Sequence, residues 1–126
     1  MSVETMKEIA QRLVTFCREA AEEECLNQLY AEDAVSVEAM PMPGQETGEI
    51  LGLDGIRAKH AQWYEMMEMH SSTADGPYYH GDSKFAVIFS MDATDRGSGE
   101  RMSMQEVGVY TVANDKIVRE EFYYQF

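Results

Sequence analysis

The sequence is short of positive charge. Ten lysines and arginines stand against 23 aspartates and glutamates, a formal charge of −13. An acidic chain gains nothing from counterion release on nucleic acid, and it is repelled by anionic membrane surfaces, so neither is an expected partner. Long hydrophobic runs are missing too. No segment approaches the ~18 apolar residues of a membrane span, and no basic, apolar leader opens the chain. Cysteine is scarce: Cys17 and Cys25 are too few for a disulfide scaffold. Were both on one helix, they would lie about 12 Å apart, beyond disulfide reach. The expectation is buried or half-buried thiols in a reducing, cytoplasmic setting. No close-spaced histidine pair, H-E-x-x-H, G-x-G-x-x-G, P-loop or nucleophile elbow occurs. No metal or cofactor is therefore expected.

What is present suits a small folded domain. The 126 residues fit one core, so residues 1–126 are read as a single domain, and 44% hydrophobic content is enough to fill it. Ten methionines either pack irregular gaps or line an adaptable cavity. Met6, Ile9, Ala10, Leu13, Val14, Cys17, Ala20 and Ala21 recur at helical spacing and predict an opening amphipathic helix. The acidic run Glu22-Glu23-Glu24 reads as a bend before a short helix, Cys25 to Tyr30. Val35, Val37 and Ala39 then alternate with Ser36, Glu38 and Met40, a half-buried strand ended by the segment Met40-Pro41-Met42-Pro43-Gly44. After a polar loop, Asp54 is the expected cap of a third helix, with Ile56, His60, Trp63 and Met67 on one face.

From about His70 the pattern is a meander of strands. Phe85, Val87, Phe89 and Met91 share one face, as do Met102, Met104, Glu106, Gly108, Tyr110 and Val112. Ala113-Asn114-Asp115 closes a hairpin to a last strand, Lys116 to Tyr124. Helices first and strands second predict an α+β fold with helices on one face of a curved antiparallel sheet.

Three stretches carry a family resemblance. They are Leu29-Tyr30-Ala31-Glu32-Asp33-Ala34-Val35-Ser36-Val37-Glu38, Gly52-Leu53-Asp54-Gly55-Ile56, and Val109 to Val118 across the last hairpin. In order and spacing these resemble the SnoaL-like and ketosteroid-isomerase-like branch of the nuclear-transport-factor-two-like superfamily. The resemblance implies a cystatin-like α+β barrel, a cone of sheet covered by three helices, with a pocket inside. It also implies a homodimer through the outer sheet face, and a small apolar or modestly polar organic ligand. Isomerases, cyclases, dehydratases and plain binding proteins share the fold, so function must be argued from the site.

Glu38 falls where the ketosteroid-isomerase-like pattern keeps its proton-moving acid, and an apolar cone would favour its protonated form. On strands, however, most glutamates face water. Glu106 interrupts an apolar row and needs a partner or a purpose. It is a candidate second acid beside Glu38, a candidate ion-pair partner of Arg57, Arg101 or Arg119, or a solvent-facing residue. His60 is a core histidine or an acid–base group. Trp63, Phe85, Phe89, Tyr110, Phe122 and Tyr124 are candidate walls of a pocket, and Glu120 shares the inward parity of the last two. Ile117, Arg119, Glu121 and Tyr123 form the expected opposite, interface-facing side. The resemblance also marks departures. Leu13 and Gly108 stand where steroid isomerases keep a tyrosine and a second acid, so steroid isomerisation is not expected. The leading expectation is a pocket protein, with proton transfer by Glu38 and Glu106 or His60. The rival is a non-catalytic binding or interaction domain.

Overall fold

The computed structural model describes residues 2–41 and 43–124. Met42, in the proline-rich segment expected to end the first strand, lies outside them. Helix α1 spans Val3–Arg18, and Ser2 caps it by accepting the Thr5 amide at 3.1 Å. Its stripe of Met6, Ile9, Ala10, Leu13 and Val14 is buried, as the spacing predicts, but the helix stops short of Ala20 and Ala21, where Ala20 turns the chain at φ 55. Helix α2, Glu22–Leu29, starts three residues earlier than expected. Glu22, Glu23 and Glu24 form its first turn, where negative charge meets the positive end of the helix dipole. The two cysteines therefore sit on different helices, not on one. Both thiols are free, Cys25 buried and Cys17 half-buried. Burial pushes the Cys17 thiol up to about 12 and Cys25 higher still, so neither is a ready nucleophile.

Strand β1 is Tyr30–Val37. A short β2, Glu49–Leu51, arises from the stretch read as loop and pairs antiparallel with β1. Gly48 makes this possible: a Cβ there would stand 2.1 Å from the Glu38 carbonyl oxygen, while its own carbonyl accepts the Glu38 amide at 2.8 Å. Helix α3 spans Leu53–Met66 and is preceded by Gly52 at φ 84; Asp54 lies inside the first turn rather than at the cap. Strands β3 (Met67–His80), β4 (Lys84–Asp95), β5 (Arg101–Ala113) and β6 (Lys116–Tyr123) follow. Asn114 and Asp115, at φ 51 and 63, turn β5 into β6 with the paired positive φ angles that suit strand twist.

The strands run in the order β2-β1-β6-β5-β4-β3. The sheet is curved, open and mixed. The expectation of a purely antiparallel sheet is corrected at one place, because β1 and β6 pair in parallel. That pairing joins the first strand to the last and so brings distant parts of the chain together. The core of Leu13, Leu26, Leu29, Ile56, Phe85 and Ile117 lies between sheet and helices. Ile117 is fully buried, not on the outer face with Arg119. A register shift between Thr111 and Val112 inserts Val118 and resets the parity of β6.

Candidate functional site

The concave face carries unusual polarity near the β1–β6 seam. Along β1, Ala34 and Ser36 are buried while Val35 and Val37 are half-buried on the outer side. The polar face is thus the inner one, and Glu38 continues it. Register pairing sets Ser36 beside Glu120 of β6. From α3, Lys59 descends onto the same spot, in line with Ile56 and Trp63 at helical spacing. Ser36, Lys59 and Glu120 are the buried polar residues among those described.

Lys59 Nζ donates to Ser36 Oγ at 2.7 Å and to Glu38 Oε1 at 2.8 Å, and stands 3.5 Å from Glu120 Oε2. The Phe122 ring centroid lies 4.5 Å from the same nitrogen. Ser36 Oγ donates to Glu120 Oε2 at 3.2 Å, and the Tyr124 hydroxyl donates to Glu38 Oε2 at 3.0 Å. Glu120 Oε1 makes no hydrogen bond of good geometry. The Tyr30 hydroxyl lies against that carboxylate, and burial first, Glu120's charge second, push it well above the usual tyrosine range. Tyr124 is pushed up to about 12 by burial and by Glu38. The Lys59 ammonium thus makes two hydrogen bonds within the protein and an ion pair with Glu120.

Glu106 is treated differently. Phe89 stands directly opposite it on β4, and Met104 and Gly108 flank it along β5. It makes no hydrogen bond or ion pair among the described residues. Arg57 pairs instead with Glu23 and Asp54, Arg101 with Asp92, and Arg119 with Glu121. Burial and the charge of Glu38 push the Glu106 carboxyl up to about 7; Lys59 opposes this and Glu120 adds to it. Such a group is about half protonated at neutral pH, so it can both release and accept a proton.

The remaining candidates divide by depth. Phe85 and Tyr110 stack at 5.0 Å with an interplanar angle of 14°, and both are buried in the core floor. Phe122 meets Tyr110 edge-on at 6.3 Å and is half-buried. Phe89 is half-buried against the core. Trp63 is half-buried too, its Nε1 donating to Met69 Sδ at 3.4 Å. His60 lies between Arg57 and Tyr64, residues that bond Glu23 and Glu22 of α2. That placement is the α2 side of the helix, and burial lowers its pKa from 6.5, favouring the neutral ring. The structure thus gathers Glu38, Glu106, Glu120, Phe122 and Tyr124 around Lys59, and leaves His60 without a bond to any of them. At Gly108, a Cβ would meet the Tyr110 and Phe122 rings at 3.0–3.1 Å, so rings fill the room a side chain would need.

An open depression of about 330 Å³ lies beside this group, lined by residues 37–39 and 121–124. Among the described residues no trio of His, Cys, Asp or Glu gathers as a metal site, and no helix is long and apolar enough to cross a membrane. Lys59 is not among the residues that the sequence singles out, yet it lies buried at the centre of the group. Its signal was present: a lysine three residues from Ile56 and four from Trp63 lies on an apolar stripe.

Comparison with known proteins agrees with this architecture. No curated protein matches the sequence. A structure from Mesorhizobium loti, provisionally assigned as a SnoaL-like polyketide cyclase with carbohydrate phosphatase in brackets, is 36% identical. Its TM-score is 0.86, over 94% of this chain and 97% of that one. A Mycobacterium tuberculosis protein in complex with estradiol-17β-hemisuccinate superposes with a TM-score of 0.74 at 17% identity, covering 100% and 96%. A Catenulispora acidiphila protein with a ketosteroid isomerase-like fold, in complex with trimethylamine, gives 0.71 at 16% identity, covering 94% and 86%. The last two share the fold alone. Residues 4–124 match the SnoaL-like domain family. The chain belongs to the SnoaL-like family.

Proposed function

We propose that this protein binds a small, uncharged organic molecule at the mouth of its cone and moves a proton on it through Glu106. The observation that carries this reading is the placement of Glu106. It is a carboxyl without a hydrogen-bond partner, set in a row of Met102, Met104 and Phe89 and facing the charge of Glu38. In the reaction, the Glu106 carboxylate takes a proton from a carbon next to a carbonyl. The new carboxylic acid returns that proton to a second atom of the same ligand, leaving the composition unchanged. Glu38, bound by Lys59 and Tyr124, serves as the fixed charge that keeps Glu106 basic enough for the task. This reverses the order in which the sequence ranks the two acids. His60 has no part in it.

Anionic ligands are disfavoured, since the one inward cation among the described residues is already shared by protein acceptors. Ligand complexes of related folds, with a steroid ester and with trimethylamine, support a small-molecule occupant. A second reading, a binding protein without chemistry, is favoured by the same observation on Lys59: its ammonium is already engaged by Ser36, Glu38 and Glu120 rather than held out to a developing oxyanion. The protein acts as a cytoplasmic homodimer on this reading. Val35, Val37, Ile88, Val107 and Val109, half-buried on the outer sheet face, supply an apolar surface for the partner copy. Sedimentation equilibrium checks the dimer.

The test changes Glu106 and Glu38 to glutamine separately and assays both against a panel of enolisable ketones and lactones. Loss of turnover in E106Q of about a hundredfold or more supports proton transfer. Full turnover in both variants removes the carboxyls from the chemistry. Ligand binding with no turnover by the wild type favours the second reading.

A further inference from the structure

Lys59 is neither acid nor base in the reaction above, yet more of the concave polar groups converge on it than on any other residue described. Three carboxyls face inward: Glu38 from the end of β1, Glu106 from β5 and Glu120 from β6. The other titratable groups around them are Cys17 of α1, Cys25 of α2, Tyr30 of β1, Tyr110 of β5, Tyr124 after β6, and His60 on the flank of α3. Against these anions Lys59 is the one cation. Its compact ammonium reaches Ser36, Glu38 and Glu120 at once, with the Phe122 ring beside it. A planar guanidinium matches one carboxylate edge-on, whereas an ammonium suits acceptors spread in three directions. Three neighbouring carboxyls without a cation share their protons, and no one of them owns the exchangeable one. With Lys59 in place, two have a counter-charge in contact and the third has none.

We infer that Lys59 is the positioning residue of the site. By holding Glu38 and Glu120 on one ammonium, it assigns the exchangeable proton to Glu106 and fixes Glu38 as the charge opposite it. The inference rests on the Glu106 reading and goes beyond it. Its consequence is that the wall and the proton carrier form one electrostatic unit, although Lys59 makes no hydrogen bond with Glu106.

The experiment is a carboxyl ¹³C NMR titration of Glu38, Glu106 and Glu120 in the wild type, Lys59→Met and Lys59→Arg. In the wild type Glu106 takes up the exchangeable proton alone. In Lys59→Met, Glu38 and Glu120 lose their counter-charge and their proton affinity rises about tenfold or more, so the uptake is shared among the three. Lys59→Arg, whose guanidinium matches one carboxylate only, falls between those limits. Should Lys59→Met not fold, the double variant Lys59→Met/Glu120→Gln removes the buried anion as well, and the proton is then shared between Glu38 and Glu106. Uptake that stays on Glu106 alone in the folded variants overturns the inference while leaving the Glu106 reading intact. A wild-type Glu106 that titrates in the ordinary carboxylate range overturns both.

Discussion

The wall formed by β1, β6 and α3 and the rim formed by β4 and β5 belong to one concave surface, yet they treat a carboxyl in opposite ways. On the wall, Glu120 is 1% exposed and is held by Ser36 and Lys59. On the rim, Glu106 is half-buried among methionine and phenylalanine and held by nothing. Glu120 pairs with Tyr110, and Tyr110 follows Glu106 by four residues on the same strand. The two acids are close in register and far apart in environment. The difference teaches that inward parity alone does not make a reactive group. A buried acid with a counter-charge in contact keeps its charge, and one left to desolvation and a neighbouring carboxylate holds its proton to higher pH.

The sharpest way to break this contrast is to remove the cation. Lys59→Met strands Glu38 and Glu120 without their counter-charge, and a buried pair broken in this way costs ~3–5 kcal/mol. Urea unfolding monitored by tryptophan fluorescence measures it. A loss below about 1 kcal/mol would show that water, not Lys59, supports the wall. Next comes the floor beneath both regions. Phe85→Ala removes a buried ring from the stack with Tyr110 and costs about 3–4 kcal/mol, whereas the half-buried rim residue Phe89→Ala costs clearly less. Equal losses would mean that rim and floor are one continuous core.

A third change isolates the rim charge through pH. Folding raises the Glu106 pKa from 4.5 to about 7, so the folded protein binds more protons than the unfolded chain between those values. Stability therefore falls as pH rises through that window, by on the order of 1–3 kcal/mol for a partly solvated group. Glu106→Gln abolishes this slope and makes the protein more stable than the wild type at pH 8. Unfolding midpoints at about pH 5 and pH 8 check it. The smallest effect lies outside both regions and serves as a reference. Asp115→Gly relieves a left-handed residue in the β5–β6 turn, at φ 63, and stabilises the hairpin by ~0.5 kcal/mol. Its thermal midpoint rises while the Glu106 titration stays in place.

Much of the fold was legible because it is written in local periodicity. The stripe of α1, the alternation of β4 and β5, and the Asn114-Asp115 turn are properties of neighbouring residues. Where the structure departs from local periodicity, non-local pairing intervenes. Strand β2 exists because β1 offers it an edge, and it is only three residues long. Ile117 moved inward because β6 slips one residue against β5. The acidic run Glu22-Glu23-Glu24, whose charge suggests a bend before the helix, forms its first turn instead, because the dipole of a helix start welcomes those charges. In the site, Glu38, Glu106 and Glu120 stood out as acids on inward strand positions. Lys59 did not, because a lysine on a helix is ordinarily solvated and nothing adjacent to it in sequence says otherwise.

The sequence by itself determined the α+β order, the apolar stripes, the absence of metal and nucleotide motifs, and the short list of acids worth examining. These depend on composition and on spacing within a few residues. Only the tertiary structure decided which acid has a counter-ion. The parallel pairing of β1 with β6 sets Ser36 beside Glu120, 84 residues further along, and α3 lowers Lys59 between them. Charge interactions fall with distance through space and are indifferent to distance along the chain, so the protonation pattern of the cone is a property of the fold.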